Sequence, residues 1–260
     1  MTSEPTTVFA HAVGFTGATL SPLASRMPGP AVCLDVVGHG RASVPEGYPF
    51  SWRDAGERIL ADLERTAVPR EGRVGVGHSG GGTALLWAEI LDPGAFATLV
   101  LYEPPIRAAM ASLPPDTPPP LATSVRHRRD SFADAADFEE YLRRRDPYRR
   151  FDDEVVAAYA ASGLEPAPGG GFRLACRPAL EASMYVTEDE GLVSRLPEID
   201  ADLVFLRGEN TFARFAELAE TLGRLLPRSR GVVVPGLSHF GPLESPDAVA
   251  EVLRRELALA

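Results

Sequence analysis

The sequence predicts an α/β protein built on a parallel sheet with helices on both faces. Three observations carry this. Short runs such as Ala31-Val-Cys-Leu and Ala97-Thr-Leu-Val-Leu-Tyr102 are apolar almost throughout rather than at alternate positions. That is the pattern of strands buried on both faces. Stretches of helical period lie between them, so strand and helix alternate along the chain. Finally, Arg73-Val-Gly-Val-Gly77 runs through His78-Ser79-Gly80-Gly81-Gly82 into the apolar stretch Thr83 to Leu91. This reads as strand, sharp turn, helix.

The elements follow in order. Thr6 to His11 is a first buried strand, His11 to Phe15 a turn, and Gly17 to Met27 a short helix. Ala31 to Val37 is a second strand, ending in the loop Gly38-His39-Gly40-Arg41-Ala42-Ser43. Ser51 to Thr66 is an amphipathic helix, with Ser51 as its cap and Ala55, Ile59, Leu60 and Leu63 on one face. Arg73 to Gly77 is the third strand and Ala97 to Tyr102 the fourth, ending at Glu103. Pro104 to Pro120 then holds seven prolines, which no sheet or helix interior tolerates. We read it as the stem of an insert. Within it, Ser131 to Arg150 and Asp152 to Ser162 read as helical and Pro166 to Gly171 as a loop. Alternation resumes with a fifth strand, Ala201 to Gly208, a helix, Phe212 to Leu226, and a sixth strand, Gly231 to Val234. The last helix is Asp247 to Leu257, with Pro246 at its start. The expected division is a core of residues 1–104 and 198–260 and a helical cap over 105–197.

Composition narrows the function. A length of 260 residues suits one large domain with an inserted lid. The net charge of −10 disfavours nucleic acid as a partner. No apolar run approaches the roughly 20 residues of a membrane span. The polar start, Met1 to Thr7, predicts no signal peptide. With Cys33 and Cys176 far apart, no disulfide framework is expected, and a reducing cytoplasm is the expected location. All 26 basic residues are arginine, which excludes a Schiff-base lysine and a Walker A lysine. We expect no metal and no cofactor.

Gly77-His78-Ser79-Gly80-Gly81 fits G-x-S-x-G, the turn that lifts a serine above the end of a sheet. The serine backbone there is strained, and glycine at both flanks removes a clashing Cβ. The helix that follows aims its first amides at the serine, where an oxyanion can be held. A glycine-rich structural turn is the plainer reading of such a motif. The strand before it and the helix after it supply the context that catalysis requires.

The motifs His11-Ala-Val-Gly-Phe15, Asp35-Val-Val-Gly38-His39-Gly40, Gly77-His-Ser79-Gly-Gly81 and Gly236-Leu-Ser-His239-Phe240 occur in that order. The chain resembles the α/β-hydrolase fold superfamily across nearly its whole length outside the insert, and within it esterases and discrete polyketide thioesterases. Members usually begin with an antiparallel hairpin. The segment before Val8 is too short for one, so we expect six strands, all parallel.

Ser79 needs a base within hydrogen-bond reach. His239 follows the last strand, where the resemblance places that base. His11 and His39 read as scaffold, and His127 as a surface residue. Gly80 supplies one oxyanion amide, and by resemblance Val13 supplies the other. The acid is less plain. The resemblance puts an aspartate at position 211, where this chain has threonine. Glu103, ending the strand after the elbow helix, is the expected acid, and Glu209 is the alternative.

The resemblance implies a serine hydrolase. It would cleave an ester, lactone or thioester of a small to medium hydrophobic acyl group, free or carrier-bound, through an acyl-enzyme. A pathway thioesterase in secondary metabolism, a C–C bond hydrolase and a cofactor-free haloperoxidase-like enzyme share these residues. A ligand-binding protein without catalysis is the rival of another class. Arg126, Arg128, Arg129, Arg143 to Arg145, Arg149 and Arg150 make the insert basic. They read either as a solvated face or as a landing site for a carboxylate, a phosphate or an acidic carrier.

Overall fold

The computed structural model describes residues 4–106, 109, 121–188, 191–226 and 228–258. The proline-rich stretch 104–120 lies mostly outside the described residues. Six strands form the main sheet: β1 (Thr7–Ala10), β2 (Ala31–Leu34), β3 (Val74–His78), β4 (Thr98–Tyr102), β8 (Asp202–Gly208) and β9 (Arg230–Val234). Their order is β2-β1-β3-β4-β8-β9. Every pairing is parallel, as expected.

Successive residues of a strand feed opposite faces. Val8 and Ala10 of β1 join the core with Trp87, Phe96, Ile59 and Leu63, under the helices Trp52–Arg65 and Gly80–Leu91. Phe9 points the other way, to Val76, Val100, Leu23 and Leu253, under Ser21–Ala24 and Pro246–Leu257. The two-sided burial explains why these strands read as continuous apolar runs. Ser51 caps its helix as expected, accepting from the Asp54 amide at 3.0 Å.

Register sets the site. His78 of β3 is level with Tyr102 of β4, and Tyr102 with Leu206 of β8. Parallel strands of matched register end together. The residues that leave them, Ser79, Glu103 and Glu209, therefore emerge on one edge of the sheet. The ladder continues one step past the strands: Ser79 N donates to Tyr102 O at 2.9 Å, and Glu103 N to Leu206 O at 3.0 Å.

Two readings of individual elements need correction. The second strand stops at Leu34 rather than Val37. Asp35 turns out of the ladder, its carboxylate accepting from Gly17 N at 2.8 Å and Arg41 N at 2.9 Å. Ser131 to Arg150 is not one helix. Ser131–Phe132 is a strand (β5), Ala135–Arg143 a helix, and Tyr148–Arg150 a single 3₁₀ turn. β5 pairs with β7 (Phe172–Leu174), and β7 with β6 (Leu164–Pro166), both antiparallel. The β6–β7 hairpin turns through Gly170 and Gly171, both in left-handed backbone. Among the described residues between β4 and β8, further helices are Leu121–Arg126, Asp153–Ser162 and Pro178–Met184. Among the described residues, no helix is long and apolar enough to cross a membrane.

Candidate active site

The strand-to-helix turn at Ser79 is as tight as its sequence requires. Ser79 has φ +50° and ψ −124°, and Gly80 begins the helix. The flanking glycines do different work. A Cβ on Gly77 would strike Gly82, while one on Gly81 would strike the Ala10 carbonyl of β1. The first glycine lets the turn close on itself. The second lets the helix lie against the neighbouring strand.

Glu103 repeats the strain at the end of β4, with φ +48°. A non-glycine residue in this region costs about 1–3 kcal/mol and persists only where its surroundings hold it. Here three contacts hold its carboxylate. Oε1 accepts from Gly208 N at 2.8 Å, and Oε2 from Thr211 Oγ1 at 2.7 Å. Oε2 also meets His239 Nδ1 at 2.6 Å. Glu103 is 3% exposed and His239 8%. Thr211, at the position where the resemblance expects an acid, is thus a donor to the Glu103 carboxylate at the end of the neighbouring strand. Glu209 is exposed, and its Oε2 accepts from Gly236 N at 2.8 Å.

With Nδ1 bound to a carboxylate, the proton sits there and Nε2 is the basic nitrogen of His239. Its ring stacks on Phe215 at 4.6 Å and 16°. The loop that carries it is clamped from below. His78 Nε2 donates to the His239 carbonyl at 2.9 Å, and Tyr102 Oη to Ser238 O at 2.7 Å. Sequence reading did not find Phe215, the His78 clamp or the Tyr102 clamp. Ser79 and His239 are both buried, each 8% exposed.

Val13 and Gly80 are brought together. A Cβ on Gly80 would lie 2.6 Å from Val13 Cγ2. His39 fixes the Val13–Gly14 turn, and His11 ties the end of β1 to the chain after β2. Gly14 N donates to His39 Nε2 at 2.8 Å, and Val36 N to His11 Nε2 at 2.9 Å. Their Nδ1 atoms face carbonyl oxygens, so the protons sit there. His127 is exposed. The insert arginines are largely paired within the insert: Arg143 with Glu139 and Asp153, Arg149 with Asp146, and Arg129 with Asp137. Among the described residues, no group of three His, Cys, Asp or Glu side chains is placed to hold a metal.

Burial lowers three histidines. His39 falls from 6.5 to about 3, mainly by desolvation and then by His11. His78 falls to about 3, by desolvation and then by His239. His11 is lowered too, chiefly by desolvation. In the unfolded chain these rings take up protons below about pH 6.5. The unfolded state then binds more protons, so stability is full above that pH and is lost as pH falls toward 3. His39 and His78 each contribute up to about 1.4 kcal/mol per pH unit in that window. The expected result is a lower urea midpoint near pH 5 than near pH 7.5, with m unchanged. Equal midpoints would contradict neutral, buried histidines.

A doubly covered parallel sheet with a strained serine turn and a carboxylate-bound histidine on one edge defines an α/β-hydrolase scaffold. The chain belongs to the alpha/beta hydrolase family, whose model matches residues 7–252. It is 26% identical over 251 residues to the peroxisomal membrane protein LPX1 of Saccharomyces cerevisiae, covering 86% of this chain and 65% of that protein. The chain thus spans about two-thirds of that relative's length. The solved structure of the same yeast hydrolase superposes with a TM-score of 0.80 at 21% identity, covering 99% of this chain and 76% of that one. A 2-(acetamidomethylene)succinate hydrolase from Mesorhizobium japonicum is 28% identical over 257 residues, covering 96% of this chain and 87% of that protein. A Mycobacterium tuberculosis esterase superposes with a TM-score of 0.77 at 19% identity, covering 98% of this chain and 84% of that one. These superpositions show the shared fold, and the comparisons support a hydrolase.

Proposed function

We propose that the protein is a serine hydrolase that cleaves an ester, lactone or thioester through an acyl-enzyme. The observation that carries the reading is the 2.6 Å contact between Glu103 Oε2 and His239 Nδ1, on the same sheet edge as Ser79. In this reading Ser79 Oγ attacks the acyl carbon while His239 Nε2 takes its proton. Glu103 fixes the tautomer and stabilises the imidazolium. The Val13 and Gly80 amides hold the oxyanion that forms. His239 then returns the proton to the leaving group, and water repeats the cycle on the acyl-enzyme. Phe215 and the insert shield these charges from solvent, which strengthens each of them. The insert roofs the site and selects the acyl group, and the expected setting is the cytoplasm.

A fluorophosphonate probe tests the class. Labelling should fall on the peptide that contains Ser79 and should be abolished by prior treatment with a serine-directed inhibitor. A protein that leaves the probe unreacted while still binding ligands in the same pocket is a receptor rather than an enzyme.

A further inference from the structure

A group of polar side chains is buried between the insert and the Val13–Gly14 turn. Arg128 follows the helix Leu121–Arg126, and its Nη2 lies 2.6 Å from Glu181 Oε2 on the helix Pro178–Met184. Glu181 is buried, and the Arg128 side chain is only 14% exposed. The Glu181 carboxylate occupies the space that a side chain on Gly14 would fill. Three tyrosine hydroxyls converge on the same place. Tyr159 Oη donates to Gly14 O at 2.6 Å. Tyr185 Oη lies 3.5 Å from both Val13 O and Glu181 Oε1. Arg128 Nη1 reaches Tyr148 Oη at 3.4 Å.

The ion pair is poorly satisfied for its depth. Arg128 Nε and Nη2 and Glu181 Oε2 are buried without a well-formed hydrogen bond among the described residues. A guanidinium carries five N–H donors in a fixed fork that matches a carboxylate. A single ion contact does not offset the desolvation of both charges, and apolar residues of the same size often hold such a place better. An apolar tether already exists beside it, where Phe15 packs against Tyr148, Phe151, Tyr159 and Phe240. Arg128 is therefore not needed merely to fasten the insert. It also differs from Arg143, Arg144 and Arg149, whose partners are solvent-exposed neighbours.

We propose that Arg128 anchors a free carboxylate on the substrate, which makes the substrate a half-ester or half-thioester of a short dicarboxylic acid. This rests on the serine-hydrolase reading above. Glu181 steadies the guanidinium until the substrate arrives. The Glu181 carboxylate touches both the guanidinium and the Gly14 position of the Val13–Gly14 turn, so a short diacid that takes its place would have one end at each. Burial pushes the Glu181 carboxyl up against the opposing pull of Arg128. Protonation of Glu181 as a second carboxylate enters keeps the pocket neutral.

The test compares two p-nitrophenyl esters of similar shape, the hemisuccinate and the 4-methylpentanoate. The wild-type protein should favour the hemisuccinate in kcat/KM, chiefly through KM. Arg128→Met should lower that preference roughly 10- to 100-fold, the range of a charge-assisted hydrogen bond. Arg128→Lys should restore part of it, and Glu181→Gln should keep it. A wild-type protein without the preference, or an unchanged ratio in Arg128→Met, overturns the anchor. Should Arg128→Met not fold, Arg128→Lys decides. A plain tether predicts that both esters slow together with their ratio unchanged, whereas an anchor predicts a partial fall of the hemisuccinate preference through KM. Fluorophosphonate labelling of Ser79 separates the two proposals. Labelling without acid preference removes the anchor alone, and failure to label removes the hydrolase reading and the anchor with it.

Discussion

Ser79→Ala should lower kcat for a small p-nitrophenyl ester by about 10^4-fold or more and abolish the burst of acyl-enzyme. The size follows from what remains. Without the hydroxyl, no covalent intermediate forms, and only the oxyanion amides and substrate positioning still act. The backbone contact that places the turn, Ser79 N to Tyr102 O at 2.9 Å, survives the substitution. Alanine tolerates the left-handed φ about as poorly as serine, so the strain is unchanged. The variant should therefore fold with nearly wild-type stability, and a loss of rate then reports chemistry rather than unfolding. Activity within about tenfold of wild type would remove Ser79 from the mechanism. His239 would then be acting as a base on water.

The sequence made the sheet and the serine turn legible for a physical reason. Strands buried on both faces have no polar face to show, so Ala97 to Tyr102 stands out without any alignment. A serine forced to φ +50° needs glycine neighbours, so Gly77 and Gly81 mark it. The missing carboxylate at Thr211 was legible too, and it pointed to Glu103. What could not be read was set by neighbours far along the chain. Thr211 donates to a carboxylate 108 positions away, and His78 to a carbonyl 161 positions away. No local pattern encodes such a pair. Phe215 looks like any apolar residue of an amphipathic helix until the fold lays it on His239. The insert sheet was hidden because strands of two or three residues have no period to detect. Arg128 was indistinct because seven other arginines within residues 126–150 of the insert share its composition, and burial separates it from them.

Glu103→Gln should lower kcat by about 10^2- to 10^4-fold, while Glu209→Gln should cost little. The two glutamates end adjacent strands, but their surroundings differ. Glu103 accepts from Gly208 N, Thr211 Oγ1 and His239 Nδ1 and is screened from water. Glu209 is spent on Gly236 N at an exposed turn. Glutamine keeps the shape of Glu103 and removes its charge, so the imidazolium that forms during attack loses its counter-ion. The amide also carries N–H groups where the carboxylate had lone pairs. Turned toward His239, its NH₂ would oblige Nδ1 to accept, placing the ring proton on Nε2 and directing it at Ser79, which is the wrong tautomer for a base. Turned the other way, it would face Gly208 N, a donor against a donor. Either orientation carries a cost, so some loss of stability should accompany the loss of rate. The two can be separated because a higher pH restores neither the charge nor the tautomer. The kcat deficit of Glu103→Gln should persist through the alkaline limb at temperatures well below its melting transition. A rate that recovers fully there, or an equal loss in Glu209→Gln, would mean that the carboxylate on β4 is structural and that His239 works without it.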